Sequence, residues 1–198
     1  MFSQNPVCPS PNFYLLSGTT INVFNTTLPI SPTNPSSTGV PSPPGNGLTV
    51  MNNIFGGTLS PTFVSSNAGN YLYWSGSAWV SSTVSTSGAG INLGGCNTVL
   101  YSLLGSNLYA HNAGTPSTTL ITSVSTVVAD IVPDCDCNVY VFGSGGLLRK
   151  YSPTGAVITT YTMVGLPPAV SGGGYAIVGN NIYYWASSLL RAMASIQN

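Results

Sequence analysis

The chain is expected to be all-β: a propeller-like repeat of about four hairpin or blade units behind an extended, proline-rich N-terminal arm, with a β-sandwich or fibre-type β domain as the alternative. Three observations lead there. From Leu48 onward, short runs of Val, Ile, Leu, Tyr and Thr are broken every few residues by Gly, Asn, Ser or Pro, the punctuation of many short strands. Nine of the fifteen prolines fall between Pro6 and Pro44. Only six of 198 residues are charged, namely Asp130, Asp134, Asp136, Arg149, Lys150 and Arg191, and there is no glutamate.

The charge deficit bounds function first. Charged surface keeps soluble domains hydrated and apart, and here that task falls to 27 Ser, 21 Thr and 18 Asn. Such a chain suits a packed, structural setting better than a freely diffusing enzyme. A formal net charge of zero leaves no basic footprint for nucleic acid. The start, Met1 to Pro6, has neither a basic n-region nor an apolar stretch, so a secretory signal is expected to be absent or already removed. No segment approaches the roughly 20 apolar residues of a membrane helix.

Residues 1–47 are read as the arm, and 48–198 as the repeat domain. Proline fixes φ and removes a donor, which excludes a helix or a central strand from the proline-rich stretch. Ile21 to Phe24 offers one short run of β-formers. Phe13, Tyr14, Leu15, Leu16 and Phe24 are apolar anchors, and they favour an arm that orders by lying on a neighbouring subunit. The sequon Asn25-Thr26-Thr27 is a glycan acceptor only if the chain takes a secretory route.

Within 48–198 the runs repeat. Asn70-Tyr71-Leu72-Tyr73, Asn107-Leu108-Tyr109, Asn138-Val139-Tyr140 and Asn181-Ile182-Tyr183 each follow a turn with Asn and then an aliphatic and tyrosine pattern. Asn and Gly tolerate φ > 0, which suits hairpin turns. The separations bracket the length of a propeller blade, so the four hairpins are expected to be equivalent units. Ser188 to Ile196, rich in Leu, Ala and Met, is read either as a helix or as a last strand.

Two segments resemble known families. Asp130-Ile131-Val132-Pro133-Asp134-Cys135-Asp136-Cys137-Asn138-Val139-Tyr140-Val141, continuing to Leu148-Arg149-Lys150-Tyr151-Ser152-Pro153-Thr154-Gly155, resembles an NHL-type propeller blade. The resemblance implies that the D-x-D-G-N-[VI]-Y-V turn joins the first two strands and the x-P-x-G turn the last two. Cys137 stands where that family usually has Gly. The phrase Leu72-Tyr73-Trp74-Ser75-Gly76-Ser77-Ala78-Trp79-Val80 is similar to an aromatic hairpin phrase of phage tail fibres and large-DNA-virus surface proteins, which implies a virion component.

Chemistry has few residues to draw on. His111, in His111-Asn112-Ala113-Gly114, is read as an exposed turn residue, and no G-x-S-x-G supports a Ser-His-Asp triad. Asp130, Asp134 and Asp136 are a weak Ca²⁺ candidate; hard oxygens within seven residues suit that ion, but the calcium-loop frame is absent and turn capping is the simpler role. Arg149 and Lys150 are expected to pair with these carboxylates or to lie solvated. Cys8, Cys96, Cys135 and Cys137 lack paired C-x-x-C spacing; they are either free thiols or include a disulfide from Cys96 to Cys135 or Cys137. Trp74, Trp79, Tyr183 and Trp185 are ligand or interface aromatics, either stacking sugar rings or anchoring packing. The expectation is a non-enzymatic assembly protein, in a virion or extracellular, without cofactor, metal, nucleic-acid or membrane partner, that contacts other copies of itself or coat proteins. A carbohydrate-binding propeller or adhesin is the alternative.

Overall fold

The computed structural model describes residues 2–4, 13–17, 19–24, 36–45, 47–51, 62–67, 69–82, 92–112, 117–124, 128–163, 174–178, 181–186 and 189–195. They form five antiparallel sheets, each made from consecutive strands. The first contains β1 (Phe2–Gln4), β2 (Phe13–Ser17), β3 (Thr20–Phe24) and β4 (Ser36–Pro41). The second contains β5 (Gly47–Met51), β6 (Thr62–Asn67), β7 (Asn70–Trp74) and β8 (Trp79–Ser81). The third contains β9 (Asn92–Cys96), β10 (Val99–Leu104), β11 (Asn107–Asn112) and β12 (Ser117–Ser123). The fourth contains β13 (Val128–Pro133), β14 (Val139–Gly143), β15 (Leu147–Tyr151) and β16 (Val157–Thr162). The fifth contains β17 (Gly174–Val178), β18 (Asn181–Ala186) and β19 (Leu189–Ser195).

The first strand of every sheet lies against the first strand of the next: β1 on β5, β5 on β9, β9 on β13, β13 on β17, and β17 on β1. That closed circuit makes a five-bladed β-propeller with β1, β5, β9, β13 and β17 innermost. A core cluster fills each seam from the first to the fifth blade. Tyr14, Ile21 and Val40 meet Leu48, Val50 and Phe63 between blades 1 and 2, and Met51, Val64 and Tyr71 meet Leu93 and Leu100 between blades 2 and 3. Blades 3 and 4 share Tyr101, Leu103 and Leu108 with Ile131, Val139 and Val141. Blades 4 and 5 share Tyr140, Phe142 and Leu148 with Tyr175, Ile177 and Tyr184.

The period of two explains this packing. Val139 and Val141 of β14 face blade 3 while Tyr140 and Phe142 face blade 5. A strand buried on both faces is apolar throughout rather than alternating. The small ring also dictates glycine at β9. A Cβ on Gly95 would sit 2.5 Å from the Val50 carbonyl oxygen, and one on Gly94 would sit 2.4 Å from Cδ of Pro133. Inner strands from both sides press on β9 too closely for any side chain there.

Two expectations are corrected here. Residues 1–47 are not an extended arm: the described ones supply the four strands of blade 1, and Ile21 is fully buried. Proline is excluded from helix interiors and central strands but not from the loops between strands. In sequence, Pro6, Pro9 and Pro11 fall between β1 and β2, and Pro29, Pro32 and Pro35 fall between β3 and β4. Pro41 ends the outermost strand, where a missing donor costs no ladder bond.

The other correction concerns repeat phase. Residues 47–195 supply four of the described blades, the number expected there, and residues 2–41 add a fifth; the four Asn hairpins fall into two classes. Asn70 and Asn107 open the third strand of their blades, whereas Asn138 and Asn181 lie at the turn into the second strand. The uneven spacing of these asparagines comes from that switch of phase. The unit that does recur is a backbone bond from the residue after the outermost strand to the turn before the third strand or its first residues: Ser42 N to Thr19 O, 2.8 Å; Ser82 N to Tyr71 O, 2.8 Å; Val124 N to Ser106 O, 2.7 Å; Met163 N to Gly146 O, 2.8 Å. Of the two readings of the C-terminal segment, the strand holds: Leu189–Ser195 is β19.

Candidate functional site

The densest chemistry sits at the turn between β13 and β14. Asp134 Oδ1 accepts the backbone N–H groups of Asp136 and Asn138, both at 2.9 Å, and Asn138 Nδ2 donates to both carboxylate oxygens. This is side-chain capping of a tight turn. Asp134 Oδ2 also pairs with Lys150 Nζ at 2.9 Å, and that ammonium lies 5.0 Å from the centre of the Tyr140 ring. Burial disfavours the Lys150 ammonium, but its bonds to Asp134 and Tyr140 outweigh this and hold its pKa above the usual lysine range. Tyr101 of blade 3 is pushed up by burial and by the Asp134 charge, and its hydroxyl donates to the Cys137 carbonyl at 3.2 Å.

Cys137 has φ 61°, in the left-handed region that glycine enters most readily. It forms a disulfide with Cys96, Cα–Cα 5.5 Å, which joins the turn of blade 4 to that of blade 3. Cys135 is also disulfide-bonded, so these three cysteines are not free thiols. Cys8 lies outside the described residues, as does Asn25 of the sequon.

The proposed calcium triad is not assembled. Asp130 is on the innermost strand and 4% exposed. Its Oδ1 accepts the N–H of Ile131 and its Oδ2 that of Tyr175 in blade 5, each at 2.9 Å. Desolvation raises its pKa to about 7, against the lowering effect of those two bonds. Asp134 is committed to its turn and to Lys150, and Asp136 is exposed. Among the described residues no group of three His, Cys, Asp or Glu side chains is placed to hold a metal ion.

His111 departs from the exposed-turn reading: it is fully buried. Its Nε2 lies 2.8 Å from Tyr71 Oη of blade 2 and 2.8 Å from Ser102 Oγ, and its Nδ1 lies 3.0 Å from Thr118 Oγ1. Ser102 and Tyr71 are fully buried as well, so this Ser–His contact has no route to a substrate. It satisfies polar groups inside a seam. Along β11, His111 shares a face with Tyr109 and stands opposite Leu100.

The aromatics divide in the same way. Trp74 and Trp79 stand opposite each other across the β7–β8 hairpin, ring centres 5.7 Å apart, and pack on the cluster between blades 1 and 2. Trp79 Nε1 donates to the Pro41 carbonyl at 3.1 Å, which ties the outermost strands of those two blades. They serve as anchors. Tyr183 and Tyr184 are buried; Tyr175 stacks on Phe142 at 4.2 Å. The backbone of Trp185 belongs to β18, and its side chain lies outside the described set.

No protein-family model matches the chain, and no curated protein sequence matches it. Solved structures do. The chain is similar to BamB from Moraxella catarrhalis at 11% identity, covering 90% of this chain and 54% of that one, with TM-score 0.49. It is similar to the calcium-binding protein regucalcin from Agrobacterium tumefaciens at 12% identity, covering 91% and 66%, with TM-score 0.48. It is also similar to BBS1N in complex with ARL6DN at 13% identity, covering 93% and 64%, with TM-score 0.47. These are β-propeller proteins, and the chain spans between about half and two thirds of their lengths.

Proposed function

We propose that the chain is a non-enzymatic structural module of a repeated assembly, at an extracellular or virion surface, with other copies of itself or coat proteins as partners. The observation that carries this reading is the outer rim. Strands β4, β8, β12 and β16 contain no charged side chain. They leave Leu120, Val157 and Ile158 at 52%, 55% and 50% exposure. Rim charge is what ordinarily opposes association, and these four strands have none, whereas β19 of blade 5 carries Arg191. The turn at Gly155 leans on Ile121 of β12, so the rims of blades 3 and 4 are neighbours.

The rim is not open to simple strand addition. Register shifts interrupt four of the five outermost pairings, β3–β4, β11–β12, β15–β16 and β18–β19, while the short β7–β8 pairing is regular; bulges twist an edge away from templated pairing. Contact with a neighbour therefore runs through side chains. With residues 2–41 built into the ring, that contact does not pass through an arm. The titratable groups support a non-catalytic role: His111 and Asp130 are sealed in seams, and Asp134 is fully committed.

Light scattering over a concentration series tests this reading. Wild-type protein is expected to self-associate, and the pair Leu120→Lys with Val157→Lys to remain monomeric with an unchanged melting profile. Wild type that stays monomeric at high concentration, alone and with coat protein, contradicts it.

A further inference from the structure

The turn of blade 4 is closed covalently, and the bond has a conformational partner on each side. Cys137 is left-handed at φ 61°, and Asn97, next to Cys96, is left-handed at φ 51°. These two are the non-glycine residues with positive φ among those described. Both are at turns that follow innermost strands, and they face one another across the seam between blades 3 and 4. Asn97 Nδ2 donates to Cys137 Sγ at 3.4 Å, and Cys137 N donates to the Asp134 carbonyl at 3.1 Å. L-residues enter this backbone region at a cost that glycine does not bear. The Asp134–Lys150 pair and the Tyr101 hydroxyl are set by the same turn.

We propose that this cystine is an oxidative latch. Formation of the Cys96–Cys137 bond fixes the left-handed turn of blade 4 and seals the seam with blade 3, so the ring reaches its final form where a disulfide oxidant is present. The step is thiol–disulfide exchange. The two thiols lose two protons and two electrons in becoming one disulfide, and the oxidant's disulfide is reduced to two thiols. Reversal by a dithiol frees Cys137 and lets the turn relax. The latch thus couples maturation of the ring to an oxidising compartment, independently of whether the rim assembles.

The test compares melting of three full-length proteins without reductant: wild type, Cys96→Ser with Cys137→Ser, and Cys96→Ser with Cys137→Gly. The serine pair is expected to melt about 10 °C below wild type, the scale of one lost disulfide in a domain of this size. The glycine pair is expected to recover roughly half of that loss, because glycine takes the turn without the bond. A glycine pair that melts no higher than the serine pair, or a serine pair that melts with wild type, overturns the proposal. Should the serine pair fail to fold, the reduced Cys8→Ser, Cys135→Ser protein, whose remaining cysteines are Cys96 and Cys137, is refolded with and without oxidised glutathione. Native tryptophan fluorescence that returns only with the oxidant supports the latch, and equal recovery overturns it.

Discussion

Blade 4 contains five of the six charged side chains, an Asp-capped turn and a cystine, whereas blade 1 has no charged residue and seven prolines between Phe2 and Pro41. Yet both are four-stranded sheets in the same order. Both place one aliphatic residue, Leu148 or Ile21, at zero exposure. Both close with the same backbone bond after the outermost strand, Met163 N to Gly146 O and Ser42 N to Thr19 O, at 2.8 Å each. The difference teaches which features make a blade. Burial on both faces of the central strands makes it, since each blade supplies one wall to each of two seams; the ornate turn of blade 4 adds rigidity to an architecture that blade 1 reaches without it.

The largest effect that would break this comparison comes from deletion of residues 1–41. An arm would leave the remainder folded, but here β5 loses the Tyr14, Ile21 and Val40 wall and β17 loses β1. The truncated chain is expected to show no cooperative melt by circular dichroism. A sharper form sets Ile21→Ala in blade 1 beside Leu148→Ala in blade 4. Each is expected to cost about 2–5 kcal/mol in denaturant unfolding, the range for a buried aliphatic truncation. A negligible cost for Ile21→Ala alone would separate blade 1 from the core.

A pH experiment addresses the seam that only blade 4 builds with a carboxylate. The pKa of Asp130 is raised to about 7 by desolvation, so the folded protein holds that proton more tightly than the unfolded chain. Stability is then greatest below the unfolded value of about 4 and falls as pH rises through about 7, by a few kcal/mol in order of magnitude. Asp130→Asn is expected to flatten this fall between pH 4 and pH 7. It should also lower stability at pH 4 by about 1–3 kcal/mol, because one amide oxygen replaces two acceptors bonded to Ile131 and Tyr175. Urea titrations at stepped pH measure both. The smallest effect is Lys150→Met, which removes a partly exposed ion pair and is expected to cost about 1 kcal/mol or less. A larger loss would mean that the capped turn, rather than burial, carries blade 4.

The sequence made some of this legible and hid the rest for physical reasons. The β13–β14 turn and the β15–β16 turn are readable because their Asp, Asn, Pro and Gly residues act locally, within a few positions of one another. Trp74 and Trp79 are readable as a hairpin pair for the same reason. Blade 1 was hidden because prolines crowd its loops while the strand residues, such as Tyr14 and Ile21, find their partners Leu48, Val50 and Phe63 far along the chain. His111 was hidden because its turn-like sequence precedes Ala113 and Gly114, while its burial is set by Tyr71, 40 residues away. The Cys96–Cys137 pairing, 41 residues apart, is a property of the ring and not of either segment.

The central claim is that residues 2–41 form a blade equivalent to the others. Hydrogen exchange of the intact protein, followed peptide by peptide, tests it most directly. Amides of β2 and β3, paired from Phe13 to Phe24, are expected to exchange slowly and to open with the same cooperative unit as β14 and β15 of blade 4. Exchange of β2 and β3 at unstructured-chain rates, while β14 and β15 stay protected, would contradict the five-bladed ring.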